Sequence, residues 1–387
     1  MNYRIPLSQP SITALEVACV TDAVRSGWVS SRGEYIDRFE ESFAAYCGTT
    51  YALTTSSGTT ALHLTLASYG IGPGDEVIVP DITFVATANA VTYSGATPVF
   101  VDIDQESLCL DVDKLQKAIT PKTKAVVAVH LYGHPANIPA IRAIAAPRNI
   151  VVIEDAAEAH GATINGVKTG ALGNCGVFSF YGNKIVTCGE GGIITTNDVT
   201  LYERAKYLRS QAMSPTQRYW HAEVGFNYRM TNLQAALGFA QMKRIDKFVE
   251  KKKTIFSWYQ QALADELRNY PTITANVQLN RTAPWATNVF WQVCMEVSGW
   301  TYAERDRFMF ALAEQGIETR PYFYPISDMP MYPTTDTPVA HQVSRSGLNL
   351  PSYFDMSQAD VALVCQVIVQ CLQPNTALVS RMGKHQR

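Results

Sequence analysis

The chain has 387 residues, 47% of them hydrophobic and 17% charged, which suits a globular protein of two or three domains with a large core. A formal net charge of −2 gives no electrostatic footprint for nucleic acid or for an anionic membrane. Eight scattered cysteines include no CxxC and no zinc-finger spacing, so no metal site is expected. No apolar stretch approaches the ~18 residues of a membrane span. Residues 1–6 lack the apolar core of a secretory leader, and a reducing cytoplasm is the expected home.

In chain order, residues 51–54 read as a strand, and Ser56-Ser57-Gly58-Thr59-Thr60 then opens a helix over 60–70. A helix N-terminus presents unpaired N–H groups and partial positive charge, so this turn can hold a phosphate; a plain Ser/Thr cap would look the same in isolation. Further β-branched runs follow at 76–80, 98–101, 125–129, 150–153 and 192–195. Several are apolar on both faces, as buried parallel strands are. Helix-length segments at 85–94, 113–119 and 138–146 separate them, so the fold class is α/β, a mostly parallel sheet covered on both sides. Beyond Asn232 the texture changes: helix over 233–267, loop over 269–284, strand over 289–294, and helices over 302–315 and 357–372. We expect a large domain over 1–245, a smaller α+β domain over 246–372, and a tail over 373–387 without readable pattern.

Two strand ends carry unusual residues. The run Gly176-Val177-Phe178-Ser179-Phe180-Tyr181 breaks at Gly182 and delivers Lys184, and Val151-Val152-Ile153-Glu154 ends on Asp155. Open α/β folds place ligands at the carboxyl ends of their strands. A lysine and an aspartate there, beside a phosphate-loop candidate, point to pyridoxal 5'-phosphate (PLP): the lysine as Schiff-base partner, the aspartate holding the pyridinium nitrogen protonated. Taken singly, each residue is more often a solvated charge or a turn former. Dinucleotide and P-loop fingerprints are missing, and the Gly189-Glu190-Gly191-Gly192 cluster precedes a strand instead of opening a helix.

The motifs SSGTTALHL, GDEVIVPDITFVATANAV, GATPVFVDID, IEDAAEAHGA, FSFYGNK, GEGG and GFNYRMTNLQAA are similar to those of the DegT/DnrJ/StrS sugar aminotransferases, up to about Leu372. That resemblance implies the fold of the fold type I (aspartate aminotransferase-like) PLP enzymes. It also assigns residues: Lys184 and Asp155 as catalytic, Gly58, Thr59 and Ser179 on the cofactor phosphate, Phe84 and Ala157 on the two ring faces, and Glu158 near the phenolic oxygen. Asn227 would reach the phosphate of a neighbouring subunit, which makes a homodimer with shared sites the expected assembly. Arg320, Tyr324 and Ser327 are candidate substrate contacts. Many relatives carry histidine just after the Tyr-rich motif, where this chain has Ser327 and Asp328.

The lysine also bears on the reaction. Freed by the incoming amine, it can shuttle the proton itself, so His130 and His160 are not needed as bases. Members that dehydrate sugars carry histidine at its position, so Lys184 favours amine transfer. The segments SFYGNK, RYWH, VGFNYRMTN and ETRPYFYP are similar to those of members acting on a GDP-linked sugar. The implied reaction moves the amine of L-glutamate to C4 of GDP-4-keto-6-deoxy-D-mannose, for cell-surface polysaccharide. A UDP- or dTDP-linked ketone is the alternative substrate, and a PLP-binding regulator without turnover the alternative class.

Overall fold

The computed structural model describes residues 3–373. Two helices that the sequence reading did not anticipate open the chain: α1 (Ala14–Arg25) and α2 (Glu34–Cys47). Thr13 and Glu16 form a capping box at the start of α1, and Gly48, at φ 79°, ends α2 in the left-handed conformation that glycine adopts freely. There follow β1 (Tyr51–Thr55), α3 (Gly58–Ser68), β2 (Glu76–Pro80), α4 (Ala86–Tyr93), β3 (Thr97–Val101), α5 (Val112–Ala118), β4 (Thr123–Val129), α6 (Ile138–Ala145) and β5 (Val151–Asp155). A small hairpin, β6 (Thr163–Ile164) and β7 (Val167–Lys168), leads to β8 (Cys175–Ser179), β9 (Gly192–Thr196) and α7 (Val199–Arg209).

The central sheet has seven strands in the order β1-β9-β8-β5-β4-β2-β3. Its pairs from β8 through β3 are parallel, whereas β9 runs antiparallel to both neighbours. Apolar cores on the two faces bury the strands from both sides, which explains their unbroken hydrophobic runs. Crossovers that return each parallel strand to the same edge bring the ends of β2, β5 and β8 together.

The expected helix over 233–267 is two: α8 (Asn232–Met242) and α9 (Ile245–Leu267), interrupted at Lys243-Arg244. The expected loop over 269–284 contains α10 (Pro271–Thr274) and β10 (Val277–Leu279). The strand expected over 289–294 begins later: β11 (Ala286–Thr287) pairs with β6, and β12 spans Val293–Val297. Phe290, at φ 49°, turns the chain between them. Then come α11 (Tyr302–Glu314), β13 (Arg320–Pro321), α12 (Pro338–Ser346), β14 (Gly347–Leu350) and α13 (Gln358–Leu372). A second sheet, β10-β12-β14-β13, packs with α9, α11 and α13 around its own apolar core, to which Ile5 also contributes. Of the expected tail, positions 374–387 lie outside the described residues.

Candidate active site

Asp155 closes β5 and is buried. Thr87 Oγ1 donates to its Oδ2 at 2.8 Å, and the Ala157 N–H to its Oδ1 at 3.3 Å. Burial lifts its pKa above the usual carboxylate range, against the pull of those two hydrogen bonds and of Lys184 and His130. Lys184 reaches the same cleft through the turn after β8, its backbone N–H bonded to the Tyr181 carbonyl at 2.9 Å. Its Nζ lies 3.4 Å from Glu158 Oε1 and 4.1 Å over the Trp291 ring. The Trp291 indole N–H donates to the Asn183 carbonyl at 2.9 Å, bracing the residue before the lysine. Glu158 is buried and takes the Tyr132 backbone N–H on Oε2 at 2.9 Å. Burial raises its pKa too, outweighing Lys184. The lysine is thus presented between an aromatic face and a carboxylate.

The phosphate end is built by close approach. Ser57 caps α3 by accepting the Thr60 N–H at 3.2 Å. The N–H groups of Gly58 and Thr59 fall in the first turn, where no helical carbonyl precedes them. A Cβ on Gly58 would stand 2.9 Å from the Ser179 Cβ, so only glycine lets the helix end and the end of β8 meet. That junction gathers Gly58, Thr59 and Ser179, three of the residues expected on a phosphate. Phe84, just past β2, is 57% exposed, unusual for a large aromatic between buried strand ends, and its ring centre lies 6.0 Å from that of Phe323. Ala157 is half-buried. An anion-binding helix end, an uncovered aromatic face, a buried carboxylate and an amine fit PLP; that group would supply an electron sink to the amine-bearing carbon.

Other expected contacts are placed differently. Ser327 is buried, its hydroxyl given to Asp81 Oδ2 at 2.7 Å and its N–H to Oδ1 at 2.8 Å. It ties the second sheet's outgoing chain to the end of β2 through its N–H and its hydroxyl proton. Arg320 is exposed on β13, 3.5 Å from Glu318, and the Tyr324 hydroxyl accepts from Arg305 Nη2 at 3.1 Å. Asn227 is exposed, its side-chain oxygen taking a 3.2 Å hydrogen bond from Arg229. The two histidines have other work. His130 Nδ1 accepts the Ala136 N–H at 2.8 Å, so the proton sits on Nε2, 3.0 Å from Glu154 Oε2. His160 lies among Phe43, Phe178 and Phe180, and burial drives its pKa down to about 3. Trp291 and Tyr132, both next to the lysine's surroundings, carry no signature in sequence; each comes from a loop that only tertiary packing brings in.

The profile of the DegT/DnrJ/EryC1/StrS aminotransferase family matches residues 10–369. The chain is 45% identical over 372 residues to the GDP-perosamine synthase of Caulobacter vibrioides, covering 95% of this chain and 98% of that one. It is 42% identical over 370 residues to the GDP-perosamine synthase of Escherichia coli O157:H7, with the same coverages. Among solved structures, the Streptococcus pneumoniae protein Spr1654 in its PMP form superposes with a TM-score of 0.90 at 26% identity, covering 99% of this chain and all of that one. With a matched profile over nearly its whole length and a cleft that fits the cofactor, this chain belongs to the DegT/DnrJ/EryC1/StrS family and is a PLP-dependent aminotransferase.

Proposed function

We propose that this enzyme moves the amine of L-glutamate to C4 of GDP-4-keto-6-deoxy-D-mannose, yielding GDP-perosamine and 2-oxoglutarate. The observation that carries the substrate is the near full-length likeness to two GDP-perosamine synthases. In this reading Gly58, Thr59 and Ser179 anchor the cofactor phosphate, and Phe84 and Ala157 enclose the ring. Asp155 keeps the ring nitrogen protonated. Lys184 would hold the cofactor, and its amine, when free, would move the proton at the amine-bearing carbon. Glu158, 3.4 Å from Lys184 Nζ, would steer that amine and would serve as the carboxylate near the cofactor's phenolic oxygen. Arg320 and Tyr324 flank the entrance on the sugar side.

Two features support a homodimer in which Asn227 reaches the partner's phosphate. Apolar side chains lie exposed along and after α1 (Leu15, Val17, Val24, Trp28), and again at Trp220 and Val224, close in sequence to Asn227. The separate sheet and core around α9, α11 and α13 support a division into domains over 1–245 and 246–372. Eight free thiols suit a reducing cytoplasm, and among the described residues no helix is long and apolar enough to cross a membrane.

A panel of GDP-, UDP- and dTDP-linked 4-keto-6-deoxy sugars with glutamate, read by mass spectrometry, tests the substrate. Amination of the GDP-linked mannose ketone at a kcat/KM at least about tenfold above the others is expected, a margin of ~1.4 kcal/mol. Preference for a UDP or dTDP sugar would overturn the nucleotide assignment.

A further inference from the structure

Tyr132 occupies an awkward place. It follows β4 with φ 53°, a backbone conformation that side-chain-bearing residues rarely adopt, although Gly133 stands next to it. It is fully buried. Retaining a large aromatic where glycine or asparagine would be comfortable indicates that both its backbone and its side chain are in use. The backbone N–H is the donor to Glu158 Oε2 at 2.9 Å, and Glu158 Oε1 lies 3.4 Å from Lys184 Nζ. The ring lies nearly parallel to Trp291 (16°) and Phe323 (13°). Its hydroxyl accepts the Phe323 N–H at 3.0 Å.

Phe323 is the middle of a strap, residues 320–326, that leaves the second sheet at β13 and reaches the end of β2. Tyr322 N–H bonds the Gly347 carbonyl at 3.0 Å at one end, and Ile326 N–H the Asp81 carbonyl at 2.7 Å at the other. Between those two anchors, the Tyr132 hydroxyl supplies the acceptor for Phe323. Arg320 and Tyr324 ride on this strap, and the Phe323 ring neighbours Phe84.

We propose that Tyr132 is a positioning residue that couples the two halves of the site: its N–H sets the carboxylate beside Lys184, and its hydroxyl holds the strap over the substrate entrance. The proposal rests on the sugar-ketone reading only for its kinetic arm. Tyr132→Phe keeps the ring, the backbone and the bond to Glu158, and deletes the hydroxyl that accepts from the strap and also bonds the Asn349 side chain on β14. Tyr259→Phe is the control: that buried hydroxyl donates to the Pro351 carbonyl at 2.9 Å, just past β14 in the second core, and not to a residue of the strap.

Hydrogen exchange on the cofactor-free proteins should show peptides over 320–326 exchanging about fivefold faster in Tyr132→Phe, the worth of one lost hydrogen bond, and unchanged in Tyr259→Phe. With cofactor bound, Tyr132→Phe should keep its borohydride-bleachable absorbance and raise KM for whichever sugar ketone the wild type aminates by about fivefold. The control, even with a comparable loss of Tm, should not move KM. Unaltered exchange over the strap would overturn the proposal whatever the substrate proves to be. A KM change shared equally by the control would overturn it as well, since Tyr132 would then act through stability alone.

Discussion

At Asp155 two demands conflict. Burial pushes the carboxyl towards its neutral form, while Thr87 and Ala157 are arranged to favour the anion. In the proposed reading, a protonated ring nitrogen held beside it would resolve the conflict by adding a positive charge where water is excluded. Asp155→Asn should therefore retain bound cofactor yet lower kcat about a hundredfold or more, which is ~2.7 kcal/mol of barrier, measured by steady-state turnover and by absorbance. An unchanged kcat would place the nitrogen's partner elsewhere. Lys184 and Asp155 stand out in the sequence as a pair, following two apolar runs beside a phosphate-loop candidate and lying within the family's motifs. The direction of a small hydroxyl does not: nothing in Tyr324-Pro325-Ile326-Ser327 reveals that Asp81 takes both the N–H and the Oγ–H of the serine. Nor does Glu158 announce its neighbour, since its approach to Lys184 depends on a backbone N–H from Tyr132, 26 positions away.

Among the elements, strands with two buried faces were legible and their direction was not, because an apolar run has the same pattern either way. So β9 read like its parallel neighbours yet runs against them. The break between α8 and α9 escaped for a similar reason. Arg244 looks like any helical surface residue, but its guanidinium turns inward to Ser11 and to Glu16 at 2.7 Å. Glu16 also accepts from Gln241 at 2.8 Å and from the Thr13 N–H at 2.7 Å, so one buried carboxylate joins α1 to the α8–α9 junction. Burial alone would raise its pKa; the Thr13 and Arg244 hydrogen bonds prevail and hold it at about 2. A depressed carboxyl stabilises the fold fully above its unfolded value near 4.5, and that contribution is lost as pH falls through this value towards 2. Glu16→Gln should cost roughly 2–3 kcal/mol at pH 7 in urea unfolding, with the gap from wild type narrowing steadily below pH 4.5. A gap independent of pH would mean that packing, not charge, sets the cost.

For the whole molecule, the proposed sharing of Asn227 between sites needs two chains. A Lys184→Ala subunit and an Asn227→Asp subunit carry different lesions, the second placing negative charge where a phosphate is to be held. If each site draws Asn227 from its partner, mixing the two inactive proteins yields heterodimers with one intact site and one doubly impaired. Activity should rise towards about a quarter of wild type for equal mixing and random exchange, half the dimers being mixed and each carrying one site of two. Proven exchange without recovery would contradict the shared site. The central claim is that the cleft around Lys184 carries an amine from glutamate to a sugar carbon. Its most direct test supplies glutamate bearing isotopically labelled nitrogen, together with GDP-4-keto-6-deoxy-D-mannose, to the wild type and to Lys184→Ala, and follows the label by mass spectrometry. The account predicts labelled GDP-perosamine from the wild type and no multiple turnover from the variant. Labelled product formed as fast without Lys184, or a wild-type product whose nitrogen does not come from glutamate, would contradict it.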